Sequence, residues 1–317
     1  MNILLSHFVD TAFANKTLTD ILSASPAALK GITTAQVEIL EERFGIGSIR
    51  ELAESPFFRA ALALLEASTS SYDSGPQTDW NSFFQQAPLS DYQAYNVPST
   101  NPVFRTEFGP VFYRGRLNGT ARVMLIGQDP STDELLAARA FVGQSGQRIQ
   151  SFLKKLGLSH SYLMVNTFLY GIHGQFTKKI QLISLEEPIL SYRNALFNRI
   201  AGSNPLQAVI TIGTAAHHAY NNWEHPPDVP VFHIVHPSAS ESAIMPSWNQ
   251  ALPQLIAVVT PDEGLTPDST PYGAQFQPGD EIEIPRDDLP FGIPSWHGTG
   301  GTRSARSGNN KITWTAP

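Results

Sequence analysis

Apolar residues in the middle of the chain alternate between short continuous runs and longer stretches with helical spacing. Four short runs, each almost wholly apolar, predict buried strands at residues 122–126, 162–165, 208–212 and 231–235. Helical patterns lie between and after them, at residues 146–156, 185–200, 214–221 and 248–258. Strands that alternate with helices form a parallel sheet covered on both faces. The pattern therefore predicts the α/β class, with three layers (α/β/α) around a mostly parallel sheet of four strands.

The regions on either side have different patterns, and they divide the chain into four predicted parts. Residues 1–70 are helical, residues 71–102 form a connector rich in Ser, Gln and Pro, residues 103–259 form the α/β domain, and residues 260–317 are a Pro- and Gly-rich extension. The extension is either an extended wrap over the domain or a disordered tail. Trp296 and Trp314 favour partial packing of that extension.

The N-terminal helical part contains two Gly-bearing turns, one around Gly31 and one at Gly45-Ile46-Gly47. This arrangement loosely resembles a helix-hairpin-helix repeat, a motif in which backbone N–H groups at a helix start bind phosphate. The alternative is a plain helical cap on the main domain. The acidic composition of the segment favours the cap.

The amino-acid composition excludes several kinds of site and several classes of protein. The 317 residues include no Cys, which excludes disulfides, thiolate zinc sites, iron–sulfur clusters and Cys nucleophiles. No run approaches the ~18 apolar residues of a membrane span, and the start lacks a basic signal-peptide region, so we expect a cytoplasmic protein without membrane association. The net charge of −7 is uneven: −5 for residues 1–90, +2 for residues 91–259 and −4 for residues 260–317. The weakly basic centre permits a local phosphate site.

Polar residues follow three of the predicted strands. Strand one is followed by Gly127-Gln128-Asp129-Pro130-Ser131, strand two ends in Asn166, and strand four is followed by His236-Pro237-Ser238. Any one of these is typical of a turn or a helix cap. Because ligands bind at the carboxyl ends of parallel strands, the set together indicates a binding site.

These residues carry a resemblance to the uracil-DNA glycosylase superfamily over roughly residues 120–258. The stretch at Gly127–Pro130 resembles the family's water-activating motif, Asn166 the end of its base-reading strand, and His236-Pro237-Ser238 its HPS motif. The block Arg139-Ala-Phe-Val-Gly-Gln-Ser-Gly-Gln147 is similar to one in the cluster-bearing branch. Without Cys, that cluster is absent.

The resemblance implies a monofunctional glycosylase that hydrolyses the N-glycosidic bond of a base flipped out of single- or double-stranded DNA. It assigns catalysis to Asp129 and His236. The residues expected to bind the base are Gln128, Ser131, Phe141 and Asn166, and those expected to bind DNA phosphates are Ser145, Ser238, Arg139 and Arg148. We expect no cofactor and a monomer. We also expect no metal, because the spacing of His217, His218, His225 and His233 forms no known ligand set.

Departures from the family pattern leave alternatives open. Ser131 stands where the best-known branch has a Tyr that is implied to exclude the thymine methyl group, so a roomier pocket and a bulky modified base in foreign (phage) DNA are one alternative. The loop after His236-Pro237-Ser238 lacks a clear apolar wedge, for which Ile244 and Met245 are candidates. A non-catalytic DNA-binding protein with the same fold is the second alternative.

Overall fold

The computed structural model describes residues 9–13, 15–61, 72–97 and 102–290. The chain forms two compact units, Met1–Ser71 and Tyr72–Pro317. The packing predicted from Trp296 and Trp314 concerns positions outside the described residues.

The first unit consists of short helices with capped starts. Its elements include the helices Leu18–Leu22, Thr34–Phe44 and Ile49–Glu54 and the 3-10 turns Thr11–Phe13 and Pro26–Ala28. Capping boxes begin Thr34–Phe44 and Ile49–Glu54, where the hydroxyls of Thr33 and Ser48 accept from the backbone N–H groups of Gln36 and Glu51. The sequence therefore specifies these helix starts locally.

The turn between the last two of these helices has its backbone donors occupied. Gly45, with a left-handed φ of 68°, donates to Glu41 O, and the N–H groups of Gly47 and Ser48 donate to Glu51 Oε2 at 2.9 and 3.0 Å. These hydrogen bonds lower the pKa of Glu51. Because a carboxylate of the chain itself takes the donors that a phosphate would need, the helix-hairpin-helix interpretation gains no support.

The second unit is built on a twisted sheet of five strands. They are β1 (Arg114–Gly115), β2 (Val123–Gly127), β3 (Tyr162–Asn166), β4 (Ala208–Ile212) and β5 (Val231–Ile234), in the order β1-β3-β2-β4-β5. Strands β2 to β5 pair in parallel, and β1 pairs antiparallel to β3. The predicted α/β class with a mostly parallel sheet is confirmed. The sequence pattern missed β1 because a two-residue strand has no periodicity.

Helices cover both faces of the sheet, as the apolar strands require. The core on one face joins Val123 and Leu125 to the helices Gln144–Lys155 and Glu241–Val258, and the core on the other joins Met124 and Ile126 to other helices. Those on the second face are Thr78–Phe84, Ile189–Ser203 and Gly213–Asn221. Alternate residues of one strand therefore serve opposite cores.

Several short helices lie in segments whose apolar residues show little periodicity. They are Thr78–Phe84, Leu89–Ala94, Thr132–Ala137 and Lys178–Ile183. The first two lie in the predicted connector and bury Trp80, Phe84 and Tyr92. Each has six or seven residues, which is too short for an amphipathic pattern to stand out.

Residues 260–290 wrap over the sheet unit as an extended segment with two 3-10 turns, Pro278–Asp280 and Arg286–Asp288. Asp288 is fully buried, accepts from Arg114 Nη1 at 3.0 Å and from Tyr162 OH at 2.7 Å, and lies 2.8 Å from Arg116 Nη1. Arg114 is itself fully buried. Since a buried charge is costly without a partner, this segment is part of the folded unit.

Two further properties concern the described residues alone. No helix among them combines the length and the apolar character needed to cross a membrane. Within the same residues, no group of three or more His, Asp or Glu side chains is arranged to hold a metal ion.

Candidate active site

A cavity of about 830 Å³ opens at the carboxyl ends of the parallel strands. The strand ends supply Gln128 after β2, Asn166 in β3, Gly213 after β4 and His236 after β5. Asp129, Phe141, Ser131, Ser145 and Ser238 also line it. The cavity thus brings together eight of the ten residues selected from the sequence, all but Arg139 and Arg148.

Asp129 has one hydrogen bond on each carboxylate oxygen. Oδ2 accepts from Ile172 N at 2.7 Å and Oδ1 accepts from Gln128 Nε2 at 2.7 Å. Burial outweighs these bonds and raises the pKa of Asp129 to about 6, with a smaller raising effect from the nearby Glu134 charge. At neutral pH the group is therefore a carboxylate fixed in direction and poorly solvated, which suits electrostatic stabilisation of a nearby cation.

Asn166 and Phe141 meet over Gly127. A Cβ at Gly127 would collide with the Phe141 ring and with Asn166 Oδ1, so only glycine allows this approach. Asn166 is 6% exposed, and its side-chain amide has no hydrogen-bond partner among the residues that the structure describes. An amide donor and acceptor thus stand beside a buried aromatic ring, which is the combination that reads the edge of a stacked base.

The Phe141 backbone is held in an unusual conformation. Its φ is 54°, a left-handed value that costs a non-glycine residue on the order of 1–3 kcal/mol. The two residues that follow, Val142 and Gly143, each donate a backbone N–H to Glu134 Oε1 at 3.2 Å. The other oxygen of Glu134 accepts from the backbone N–H and the hydroxyl of Ser131. One buried carboxylate therefore ties the loop that carries Phe141 to the turn after Asp129.

His236 is held as a neutral imidazole. Its Nδ1 accepts from Ser238 N at 3.2 Å and lies 2.7 Å from Ser238 Oγ. Since Nδ1 accepts, the ring proton is on Nε2, which remains available as a donor. Burial lowers the pKa of His236 to about 4, so the neutral tautomer is the form present at neutral pH. Gly213, at φ 81°, lies against the His236 Cβ, where a side chain would crowd it.

Two of the four predicted phosphate ligands, Arg139 and Arg148, do not line the cavity. Arg139 is 8% exposed, and its Nε donates to Asp73 Oδ2 at 2.7 Å while its guanidinium lies over the Tyr113 ring. Arg148 pairs with Glu281 at 2.9 Å. Each guanidinium therefore already has a carboxylate partner, and the binding of DNA phosphates by Arg139 and Arg148 stays a prediction. Ser145 and Ser238 do line the cavity.

The two wedge candidates are also excluded by their positions. Ile244 is fully buried and Met245 is 4% exposed, both within the core under the helix Glu241–Val258. Neither reaches the mouth of the cavity. An apolar side chain in the first turns of that helix faces the sheet because the helix packs on it.

Sequence reasoning missed three lining residues that matter chemically. Arg105, Glu134 and Phe176 all line the cavity. The Arg105 charge acts to lower the pKa of Asp129, and it is a cation on the cavity wall. Arg105 and Phe176 stand in loops without a motif. Glu134 had a local signal, because Ser131-x-x-Glu134 is a capping box.

Residues 114–252 match the family model of the uracil DNA glycosylase superfamily. The match begins at β1 and ends within the helix Glu241–Val258, so it covers the whole sheet. The first unit and residues 260–290 lie beyond it. No curated protein matches the chain.

Proposed function

Since residues 114–252 form a uracil DNA glycosylase superfamily domain, we propose that this protein hydrolyses the N-glycosidic bond of uracil or a related modified base flipped out of DNA. The single observation that carries the proposal is that Asp129, Phe141, Asn166 and His236 line one cavity. These four residues are dispersed along the sequence, and each offers a different interaction with an extruded nucleotide.

The proposed reaction begins with base recognition. The Phe141 ring stacks on the face of the base, and the Asn166 amide, which has no hydrogen-bond partner among the described residues, pairs with the polar edge of the base. Base–aromatic stacking contributes about 1–3 kcal/mol per base. The hydroxyl groups of Ser145 and Ser238, at the cavity wall, are suited to hydrogen-bond the phosphates that flank the extruded nucleotide.

Bond cleavage then separates charge. The C1′–N bond breaks with its electron pair passing to the base, which leaves a cationic sugar and an anionic base. The Asp129 carboxylate stabilises the cation and orients a water molecule, and it accepts a proton as that water attacks C1′. The Nε2 proton of neutral His236 forms a hydrogen bond to the base oxygen as negative charge grows there.

A panel of oligonucleotides tests this proposal. Each carries uracil, hydroxymethyluracil, xanthine or a bulkier modified base, in single- and double-stranded form, and released bases are identified by mass spectrometry. We expect release of at least one base by the unaltered protein, with release strongly reduced in Asp129→Asn and weakened in Asn166→Ala. Tight DNA binding with no release from any substrate would support the non-catalytic alternative instead.

One observation favours a bulky modified base as a second candidate substrate. The Ser131 hydroxyl donates to Glu134 and therefore turns toward the helix Thr132–Ala137. This small side chain leaves more space in the cavity than a larger residue would. The cavity of about 830 Å³ lies in the upper part of the range typical for sites that enclose whole small molecules. Replacing Ser131 with Tyr should reduce release of a bulky base more than release of uracil.

A further inference from the structure

The segment after the family domain contacts the helix Gln144–Lys155 along one side. Ile282 N donates to Gln147 O at 3.4 Å, and Gln144 Nε2 donates to Glu281 Oε1 at 2.9 Å. Nearer the middle of the helix, Phe276 lies over the Arg148 guanidinium, with 4.2 Å between the ring centroid and Cζ. The segment therefore fixes side chains of this helix as well as covering it.

Arg148 connects this segment to the site. Its Nε donates to Glu281 Oε1 at 2.9 Å, and its Nη1 donates to the Pro237 carbonyl at 2.6 Å. Pro237 lies between His236 and Ser238, the two residues joined by their own hydrogen bonds at the cavity. The guanidinium thus links an acidic residue of the C-terminal segment to the loop that carries the predicted base donor.

We propose that Glu281, acting through Arg148, is a positioning residue for the His236–Ser238 loop. Glu281 and Phe276 hold the guanidinium plane, and the plane fixes where Nη1 meets the Pro237 carbonyl. The same segment also reaches the start of the next helix, because Phe276 N donates to Glu241 Oε1 at 3.4 Å. Residues outside the family domain therefore act on both ends of the loop, at Pro237 through Arg148 and at Glu241 directly. This inference rests on the proposed function for the loop's role in catalysis.

The position of His236 affects the energy of the transition state more than it affects substrate binding. Its hydrogen bond strengthens only as charge develops on the base, so a loosened loop lowers kcat more than it raises KM. A merely structural role for Glu281 predicts a lower melting temperature with unchanged kinetics. Masking, in which Glu281 withholds Arg148 from DNA, predicts tighter DNA binding when Glu281 is replaced.

The experiment compares full-length Glu281→Ala, Glu281→Gln and Asp268→Asn. Asp268 is the matched control, because it pairs with Lys155 of the same helix at 2.7 Å and does not touch the loop. Amide hydrogen exchange of residues 236–240 is measured without DNA, alongside melting temperature, kcat and KM. The exchange readout needs no turnover, so it remains informative if no base is released.

We expect Glu281→Ala to speed exchange in the loop about tenfold and to lower kcat about tenfold with a smaller change in KM, the scale of one charge-assisted hydrogen bond. Glu281→Gln keeps an acceptor and should show a smaller effect, and Asp268→Asn should match the unaltered protein in both. Unchanged loop exchange in a folded Glu281→Ala protein overturns the proposal. So does tighter DNA binding with undiminished kcat. Faster loop exchange in a protein that releases no base would leave Glu281 as the restraint on the loop and overturn only the proposed function.

Discussion

Two carboxylates in this chain accept comparable hydrogen bonds and have opposite electrostatic behaviour. Glu51, in the first unit, is exposed and accepts from two backbone N–H groups and from the Ser48 hydroxyl, and these hydrogen bonds lower its pKa. Asp129, in the second, accepts from one backbone N–H and one amide, and its pKa rises to about 6. Desolvation is the difference, because burial penalises the charged form more than two hydrogen bonds favour it. Glu51 stabilises a helix start, whereas Asp129 is set for chemistry.

The sharpest test of this comparison removes each carboxylate in turn. Asp129→Asn should lower the single-turnover rate of base release by roughly 10²–10⁴-fold, because the cation and the attacking water lose their negative partner. Glu51→Gln should leave the rate unchanged. Equal loss in both variants would contradict a special role for the buried group.

Buried and exposed ion pairs should differ in the same direction. Asp288→Asn leaves the buried Arg114 without its charge partner, and we expect the free energy of unfolding to fall by about 3–5 kcal/mol. The matched control is Glu54→Gln, which breaks an exposed pair with Arg50 and should change stability by no more than about 0.5 kcal/mol. Denaturant unfolding followed by far-UV circular dichroism, which reports the helices of both units, measures the effect of each substitution. Similar small losses would mean that water reaches Arg114.

The Phe141 ring is the proposed stacking surface for the extruded base. Phe141→Ala removes the stacking surface, so base release should weaken by about 1–3 kcal/mol in kcat/KM. Phe141→Tyr keeps the ring and serves as the control. A Phe141→Ala protein with full activity would show that the base stacks elsewhere, with Phe176 as the other aromatic residue on the cavity wall.

The pH dependence gives the smallest effect and the most direct reading of Asp129. The charged form is needed, so activity should be full above the folded pKa of about 6 and fall about tenfold between pH 7 and pH 5. His236 has its pKa lowered to about 4 and contributes no change between pH 5 and pH 8. Rates across this range, with carboxyl NMR titrations of Asp129 and Glu51, check the assignment. A decline from pH 6 to pH 8 would instead indicate a protonated His236.

The sequence predicted which residues meet at the cavity wherever the geometry of parallel strands alone sets their position. Gln128, Asp129, Asn166 and His236 all follow or end parallel strands, and the ends of such strands share one edge of the sheet. The ion-pair partners of Arg139 and Arg148 could not be predicted from the sequence, because they lie 66 and 133 positions away. A sequence pattern shows that a residue is basic, and only packing shows which carboxylate it meets.

Local patterns in the chain were enough to predict which segments form strands and helices, where capped helices start and which polar groups follow the strands. These depend on local spacing and side-chain type, which the chain carries without reference to distant residues. The tertiary structure alone decided the left-handed Phe141 held by Glu134, the raised pKa of Asp129 and the link from Glu281 through Arg148 to Pro237. Each of these depends on burial or on contact between residues remote in sequence, and both are properties of the folded chain.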